Sequence, residues 1–212
     1  MKWASNILII IGVILLSWFG YETYQNNSLQ NDAMAQALQL IERDKPTTTK
    51  SRNGDIQTSS HDSLDSSTSE QTIDSYESFT VQEEEAFAIL DIDALDRSVP
   101  VVEGTSPDDL AKGVGHLPQS SLPGGENQIL LSGHRDTVFR DFGQLEIGDT
   151  FTLHMPYGSF RYEMRHTDIV SEDDRTVIRE MDEEILVITT CYPFEYINNA
   201  PERYVIYAYP IG

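Results

Sequence analysis

The 212-residue chain has one cysteine and few basic side chains, and each shortage excludes a class of structure or function. A single cysteine cannot form a disulfide within the chain, so Cys191 is a core residue, an incidental thiol or a reactive group. Lysine and arginine total 14 against 35 acidic residues, which gives a net charge of −21. Phosphate binding requires clustered basic side chains, so this composition argues against a nucleic-acid partner. A glycine-rich motif for holding phosphates is also missing.

The amino-terminal run Trp3–Tyr21 contains no charged side chain and is flanked by Lys2 and Glu22. About 20 apolar residues span a bilayer as a helix, and aromatic residues favour its interfaces. We predict an uncleaved membrane anchor at residues 1–22, because the small-residue site Ala33–Ala35 lies too far beyond the run for a signal peptide. The basic start favours an inside amino end, which would place the rest of the chain outside a single-pass cell membrane.

Residues 23–80 differ in composition from the segments on either side. Asn31–Asp44 has apolar residues at helical spacing and no Gly or Pro, which predicts a short juxtamembrane helix. Pro46–Thr80 is rich in Ser, Thr, Asp and Gln, so it cannot bury enough apolar surface to offset the entropy of ordering. We expect a disordered, flexible spacer there, followed by a folded domain over residues 81–212.

In the rest of the chain, short apolar or alternating segments separated by turn signals are typical of an all-β barrel or sandwich. Phe160, Tyr162 and Met164 alternate with charged residues, which is the period of a half-buried strand. A helix is predicted to begin at Pro107, with Ser106 as its N-cap. The predicted strands are Ala86–Ile92, Ser98–Val102, Gln128–Ser132, Thr150–Met155, Ser159–Thr167, Ile185–Thr190 and Arg203–Tyr209.

The candidate chemistry begins at Cys191, which follows a strongly apolar predicted strand and precedes the break at Pro193. The thiolate is the nucleophilic form of cysteine, and a cationic neighbour favours it. His134 lies just beyond another predicted strand, and Arg203 begins the last one. If the three meet, Cys191 would attack a carbonyl and His134 would supply the leaving-group proton. Arg203 would donate hydrogen bonds to the oxyanion or to the substrate backbone.

Each of these residues also has a structural interpretation. A lone buried cysteine is more often a small hydrophobe than a nucleophile. Among the other histidines, His116 in a glycine-rich loop is the rival of His134, whereas His154 and His166 are expected on strand faces. With one cysteine and no close His pair beside a carboxylate, no zinc site is predicted. The acidic clusters are expected to be solvated, so neither a metal nor a cofactor is predicted.

The segments that carry this chemistry resemble those of bacterial sortases. Leu131–Phe139 (LSGHRDTVF) resembles the catalytic-histidine segment of that family. Thr190–Phe194 (TCYPF) resembles its active-site strand end, and Ala200–Ala208 (APERYVIYA) its arginine-bearing final strand. The forms GHRDT and TCYPF are most similar to class D sortases.

The resemblance implies a closed β-barrel of about eight strands with short helices, preceded by a transmembrane helix and a flexible linker. Cys191 would be the nucleophile, His134 the general acid and base, and Arg203 the group that orients the oxyanion or substrate. The implied reaction is transpeptidation. A Leu-Pro-x-Thr-Gly-like sorting signal of a secreted protein would be cleaved after Thr through an acyl-enzyme thioester. An amine of a peptidoglycan precursor would then displace the enzyme.

Two other functions remain open on the sequence. A cysteine peptidase would hydrolyse the acyl-enzyme, although a papain-type peptidase has its cysteine before its histidine, the reverse of the order here. A non-catalytic anchored β-domain would bind wall polymer or protein and keep Cys191 buried.

Overall fold

Eight strands form one closed barrel in the computed structural model, which describes residues 2–43, 79–195 and 200–212. The strands are β1 (Ala86–Ile92), β2 (Arg97–Glu103), β3 (Val114–His116), β4 (Gln128–Gly133), β5 (Thr150–Met155), β6 (Gly158–Ser171), β7 (Ile185–Tyr192) and β8 (Glu202–Pro210). Around the barrel they follow the order β1-β2-β3-β4-β7-β8-β6-β5, and β5 closes it against β1. The predicted barrel of about eight strands is confirmed, and the sandwich is excluded.

The structure adds one strand to those predicted and extends five of the others, β6 by the most residues. The sequence gives no signal for β3, because it is only three residues long and lies in a glycine-rich stretch. Its pairing, parallel to β2 and antiparallel to β4, makes it a strand. β6 continues past the predicted end at Thr167 because β8 pairs with it as far as Ser171.

Alternation along each strand separates an apolar interior from the outer surface. On β7, Leu186 and Ile188 point into the barrel, where they meet Leu131 of β4 and Ile206 of β8. Fully burying one such side chain contributes about 1.5–3 kcal/mol to folding. The filled interior therefore makes the barrel a firm support for the residues at its strand ends.

The helices are α1 (Lys2–Arg43) and α2 (Pro107–Lys112), with short 3₁₀ helices at Asp93–Leu95 and Phe142–Gln144. The start of α2 is as predicted. Ser106 accepts a hydrogen bond from the backbone N–H of Asp109, and the Asp109 carboxylate accepts one from the backbone N–H of Ser106. This reciprocal cap satisfies two N–H groups that the helix itself leaves unpaired.

The predicted helix start at Asn31 is wrong, because α1 runs through this position as one continuous helix. Residues 22–30 contain neither Gly nor Pro, so nothing there ends a helix. The carboxyl-terminal part of α1 packs on the outside of the barrel. Ala33 and Ala37 are buried there against apolar residues of β1 and β2, and Gln36 accepts a hydrogen bond from the first backbone N–H of β1.

Two expectations about the amino-terminal region remain predictions. Within the described ranges, no helix is both long and apolar enough to cross a membrane, so the anchor at residues 1–22 is not confirmed. Most of the predicted spacer Pro46–Thr80, namely residues 46–78, lies outside the described residues.

Candidate active site

Strand register brings the three predicted site residues to one end of the barrel. Cys191 on β7 pairs with Arg203 on β8. Gly133, the last residue of β4, pairs with Thr190 on β7, so His134 lies one residue further, level with Cys191. Neighbouring strands lie about 4.8 Å apart, so the backbones of these residues are side by side. We call His134, Cys191 and Arg203 the site row.

The site row lies on the outer face of the barrel. Because Ile188 points into the core, the alternation along β7 directs Val187, Thr189 and Cys191 outward. Next to the row, Thr189 Oγ1 and Ser132 Oγ form a hydrogen bond of 2.8 Å across β7 and β4. Cys191 is half-buried. Cys191 is therefore not a core residue, and it lies on the outer face of the barrel with part of its surface exposed.

The turn that carries His134 depends on close packing against Gly133. A Cβ at Gly133 would lie 2.5 Å from the ring of Phe139, so only glycine lets the chain fold back this closely. The carbonyl oxygen of His134 accepts a hydrogen bond of 3.1 Å from the backbone N–H of Phe139. This packing fixes the backbone from which the imidazole extends.

Two hydrogen bonds hold the ends of β4 and β7 together. Thr190 Oγ1 donates to the carbonyl oxygen of Gly133 at 2.8 Å. Arg135 Nη1 donates to the carbonyl oxygen of Pro193 at 2.6 Å. The spacing between the backbones of His134 and its partner on β7 is thus fixed on both sides. The sequence reasoning did not single out Arg135, although its place directly after His134 is a usable signal.

Arg203 is held at the start of β8 by three contacts. Its Nη1 donates to the carbonyl oxygens of Ala200 and Glu202, both at 2.9 Å. Its Nη2 contacts Glu172 Oε2 at 3.4 Å. A guanidinium has five N–H donors, so these contacts leave two for a substrate. The sequence did not predict the contact between Glu172 and Arg203, because the acidic cluster that contains Glu172 was expected to be only solvated.

His116, the rival of His134, lies elsewhere. It is 2% exposed, and its Nδ1 lies 2.6 Å from Glu103 Oε2. Its Nε2 lies 2.9 Å from the carbonyl oxygen of Ser121 and 3.1 Å from Ser120 Oγ. We call Glu103, His116 and Ser120 the His116 network. Both ring nitrogens are engaged inside the protein, so this histidine does not face the site row.

The two histidines expected on strand faces are found there. His154 on β5 contacts Asp91 and Ser159, each at 2.8 Å, on the outer side of the barrel. His166 on β6 stacks on the ring of Tyr207. Across residues 2–43, 79–195 and 200–212, no group of three or more His, Cys, Asp and Glu side chains is placed to hold a metal ion.

The outer face becomes apolar away from the site row. Leu130, Val187, Val205 and Tyr207 form a small buried cluster on β4, β7 and β8. Burial raises the pKa of Tyr207 above its ordinary value, and the nearby carboxylate of Asp168 raises it further. The phenol is therefore neutral at neutral pH.

Comparison with known proteins identifies the family. The model of the sortase domain matches residues 90–211. Sortase D of Bacillus subtilis strain 168 is 50% identical to the chain over 131 residues, which cover 61% of this chain and 66% of that protein. The chain therefore belongs to the sortase family, and the resemblance to class D is confirmed. The matched region spans just under two thirds of the length of the Bacillus subtilis protein.

Solved structures show the same fold. A Clostridium perfringens sortase D5 transpeptidase superposes with a TM-score of 0.57 at 24% identity, covering 69% of this chain and 100% of that one. A lid mutant of sortase A from Corynebacterium diphtheriae has a TM-score of 0.56 at 22% identity, covering 62% and 73% of the two chains. At these identities the similarity establishes the fold alone.

Proposed function

We propose that this protein is a cysteine transpeptidase that joins a protein carrying a Leu-Pro-x-Thr-Gly-like signal to a cell-wall amine. The site row carries this proposal. The residues that carry a thiol, an imidazole and a guanidinium lie side by side on an outward face, within β7, directly after β4 and near the start of β8, in a member of the sortase family. These are the groups that acyl transfer to a thiol requires.

In the first step, the thiolate of Cys191 attacks the carbonyl carbon of the signal's threonine. Arg203 has two N–H groups that its contacts within the protein do not use, and these donate hydrogen bonds to the oxyanion. The bond between threonine and glycine then breaks, and His134 gives its proton to the departing amine. The product is a thioester between Cys191 and the threonine, with the glycine-containing fragment released.

In the second step, the acceptor amine attacks the thioester carbon. His134 takes the proton from the attacking nitrogen, an amide bond forms and the thiolate of Cys191 is restored. A thioester keeps the acyl group activated, so no other energy source is needed. Attack by water would instead give a carboxylic acid, which is the peptidase alternative.

We also propose that the amino-terminal part of α1 anchors the protein in the cell membrane, with the barrel outside. Large apolar side chains are exposed on this part of the helix, among them Trp3, Ile10, Leu16 and Phe19. Confining enzyme and tethered substrate to one membrane would raise their effective concentration. After alkaline extraction of membranes, the full chain should stay with the lipid, and release into the supernatant would contradict anchoring.

The direct test is the intact mass of the full-length protein after incubation with a Leu-Pro-x-Thr-Gly peptide, with and without a glycine-peptide amine. Wild type and Cys191→Ala are compared. Wild type should gain the mass of the acyl fragment, and the amine should remove it as a new amide. Cys191→Ala should gain nothing.

The other outcomes are equally informative. An adduct that yields only the acid, even with excess amine, would indicate a peptidase. If wild type forms no adduct and cleaves none of several related signals, including one ending in Ala, the non-catalytic wall-binding function would replace the proposal.

A further inference from the structure

The connection between β6 and β7, residues 172–184, crosses the outer face that carries the site row. Its Val177 is buried against the apolar cluster of β4, β7 and β8, including Val187. Val187 precedes Cys191 by four residues on the same face, a distance of about 13 Å along an extended strand. The connection therefore closes the outer face at one end and leaves the part next to Cys191 open.

A nearly buried amide holds the middle of this connection. Gln128, the first residue of β4, donates from Nε2 to the carbonyl oxygen of Val177 at 2.8 Å. Its Oε1 accepts a hydrogen bond of 3.3 Å from the backbone N–H of Arg179. The preceding residue, Asn127, accepts a hydrogen bond of 2.8 Å from the backbone N–H of Met181. Thus the two amide side chains satisfy three backbone groups of the connection, at Val177 itself and at two residues that follow it.

The two ends of the connection are also held. At its start, Glu172 contacts Arg203 of the site row. At its end, Glu184 Oε1 accepts a hydrogen bond of 2.7 Å from the hydroxyl of Tyr162, and its Oε2 accepts one of 2.8 Å from the backbone N–H of Gly124. Between these ends, the Gln128 amide is the buried side chain that binds the connection twice.

We propose that Gln128 is a positioning residue that holds the connection 172–184 as a preformed wall of the peptide groove. By this groove we mean the outer face of β4, β7 and β8 next to Cys191. Gln128 pairs with Ile185, six residues and about 20 Å from Cys191, so it does not act on the reacting atoms. It acts through Val177, which it keeps against the groove floor. Without the Gln128 amide, the connection would become ordered only when the signal peptide binds. The entropy cost of that ordering would lower the affinity for the peptide. This inference rests on the proposed transpeptidase function.

The test compares Gln128→Met and Gln128→Ala with wild type in full-length protein. Gln128→Met retains the length and apolar contacts of the side chain but neither hydrogen bond. We expect the KM for the signal peptide to rise about tenfold in both variants, because two hydrogen bonds that preorganise the wall are lost. The kcat should stay within about twofold, and a small thiol reagent should label Cys191 at the wild-type rate.

Ile92→Val is the matched control. Ile92 is fully buried on β1, on the far side of the barrel from the connection, and this change destabilises the fold modestly. It should leave KM unchanged, which separates lost positioning from lost stability. A wild-type KM in Gln128→Met, or a fall confined to kcat, would overturn the inference.

Hydrogen exchange tests the same inference without any activity. The backbone amides of Arg179 and Met181 should exchange at least about tenfold faster in Gln128→Met than in wild type. Equal protection in the two proteins would overturn the positioning role. If protection falls as expected but wild-type enzyme forms no peptide adduct, the proposed function fails while the role of Gln128 in holding the connection stands.

Discussion

His134 in the site row and His116 in the His116 network lie at the ends of two neighbouring strands, yet their environments are opposite. His134 is half-buried at the end of β4, on the outer face beside Cys191. His116 ends β3, and both of its ring nitrogens meet polar groups inside the protein. An imidazole held in this way cannot exchange a proton with a bound peptide, whereas one at an open strand end can. Access, more than residue type, separates the catalytic candidate from the structural one.

The largest effect is expected from removing the histidine of the site row. His134→Ala should lower the rate of amide formation by about 10²- to 10⁴-fold, because general acid–base catalysis contributes this much. The melting temperature should stay close to that of wild type, since the side chain is only half-buried. Amide formation measured by mass spectrometry, beside a thermal melt, checks both expectations.

His116→Ala is the control for this prediction. Retained activity in His134→Ala, with activity lost in folded His116→Ala, would reverse the assignment of the two histidines.

The next largest effect is expected from Arg203→Lys. A lysine carries the charge but cannot reproduce the planar fork of N–H donors that contacts Ala200 and Glu202 and that, in the proposed reaction, binds the oxyanion. We expect a loss of rate of about 10²-fold or more if Arg203 stabilises the oxyanion. Single-turnover acylation of Cys191 measures the step concerned. A rate near that of wild type would remove Arg203 from the mechanism.

In the His116 network, the effect should appear in stability rather than in chemistry. His116→Ala leaves the buried Glu103 carboxylate and Ser120 hydroxyl without their imidazole partner. We expect the free energy of unfolding to fall by about 2 kcal/mol, the usual cost of unsatisfied buried polar groups. Denaturant unfolding measures the loss, and acyl transfer per folded molecule should be unchanged. Unaltered stability would show that the network is not structural.

The smallest effect concerns the buried Tyr162 and its partly buried partner Glu184. Burial raises the pKa of Tyr162 far above the ordinary value of 10.0, and the Glu184 charge and hydrogen bond raise it further. Above pH 10 the unfolded chain releases this proton while the folded protein keeps it, so the stabilisation is lost as pH rises. Above pH 10, the free energy of unfolding should therefore fall less steeply with pH in Tyr162→Phe than in wild type, by about 1.4 kcal/mol per pH unit.

Denaturant unfolding of wild type and Tyr162→Phe between pH 8 and about 11 tests this expectation. At pH 8 the variant should be less stable by about 1 kcal/mol, because the hydrogen bond to Glu184 is lost. Parallel curves above pH 10 would show that Tyr162 ionises normally in the folded protein.

The sequence predicted the strands well where local signals are strong. Thr150–Met155 and the strand after it form the predicted hairpin, because alternation and the turn residues agree. β3 was missed because three residues carry no period, and the long α1 was cut short because no helix signal marks residues 22–30 as continuous. In the site, Cys191 and His134 stand out through their positions at strand ends. Gln128 gives no such signal, because its role depends on a connection about 50 residues later in the chain.

The amino-acid sequence alone establishes a β protein with a single cysteine. It also places Cys191, His134 and Arg203 at predicted strand ends, and these residue types suit acyl transfer. Alternating apolar residues and turn signals act over short distances, so they can be read from the chain. Which histidine lies level with Cys191 depends on the tertiary structure, because strand order and register bring together residues that are far apart in sequence. Strand pairing aligns β4, β7 and β8 and sets His134 beside the cysteine, whereas His116 is held by Glu103 on β2 and by the loop that follows β3.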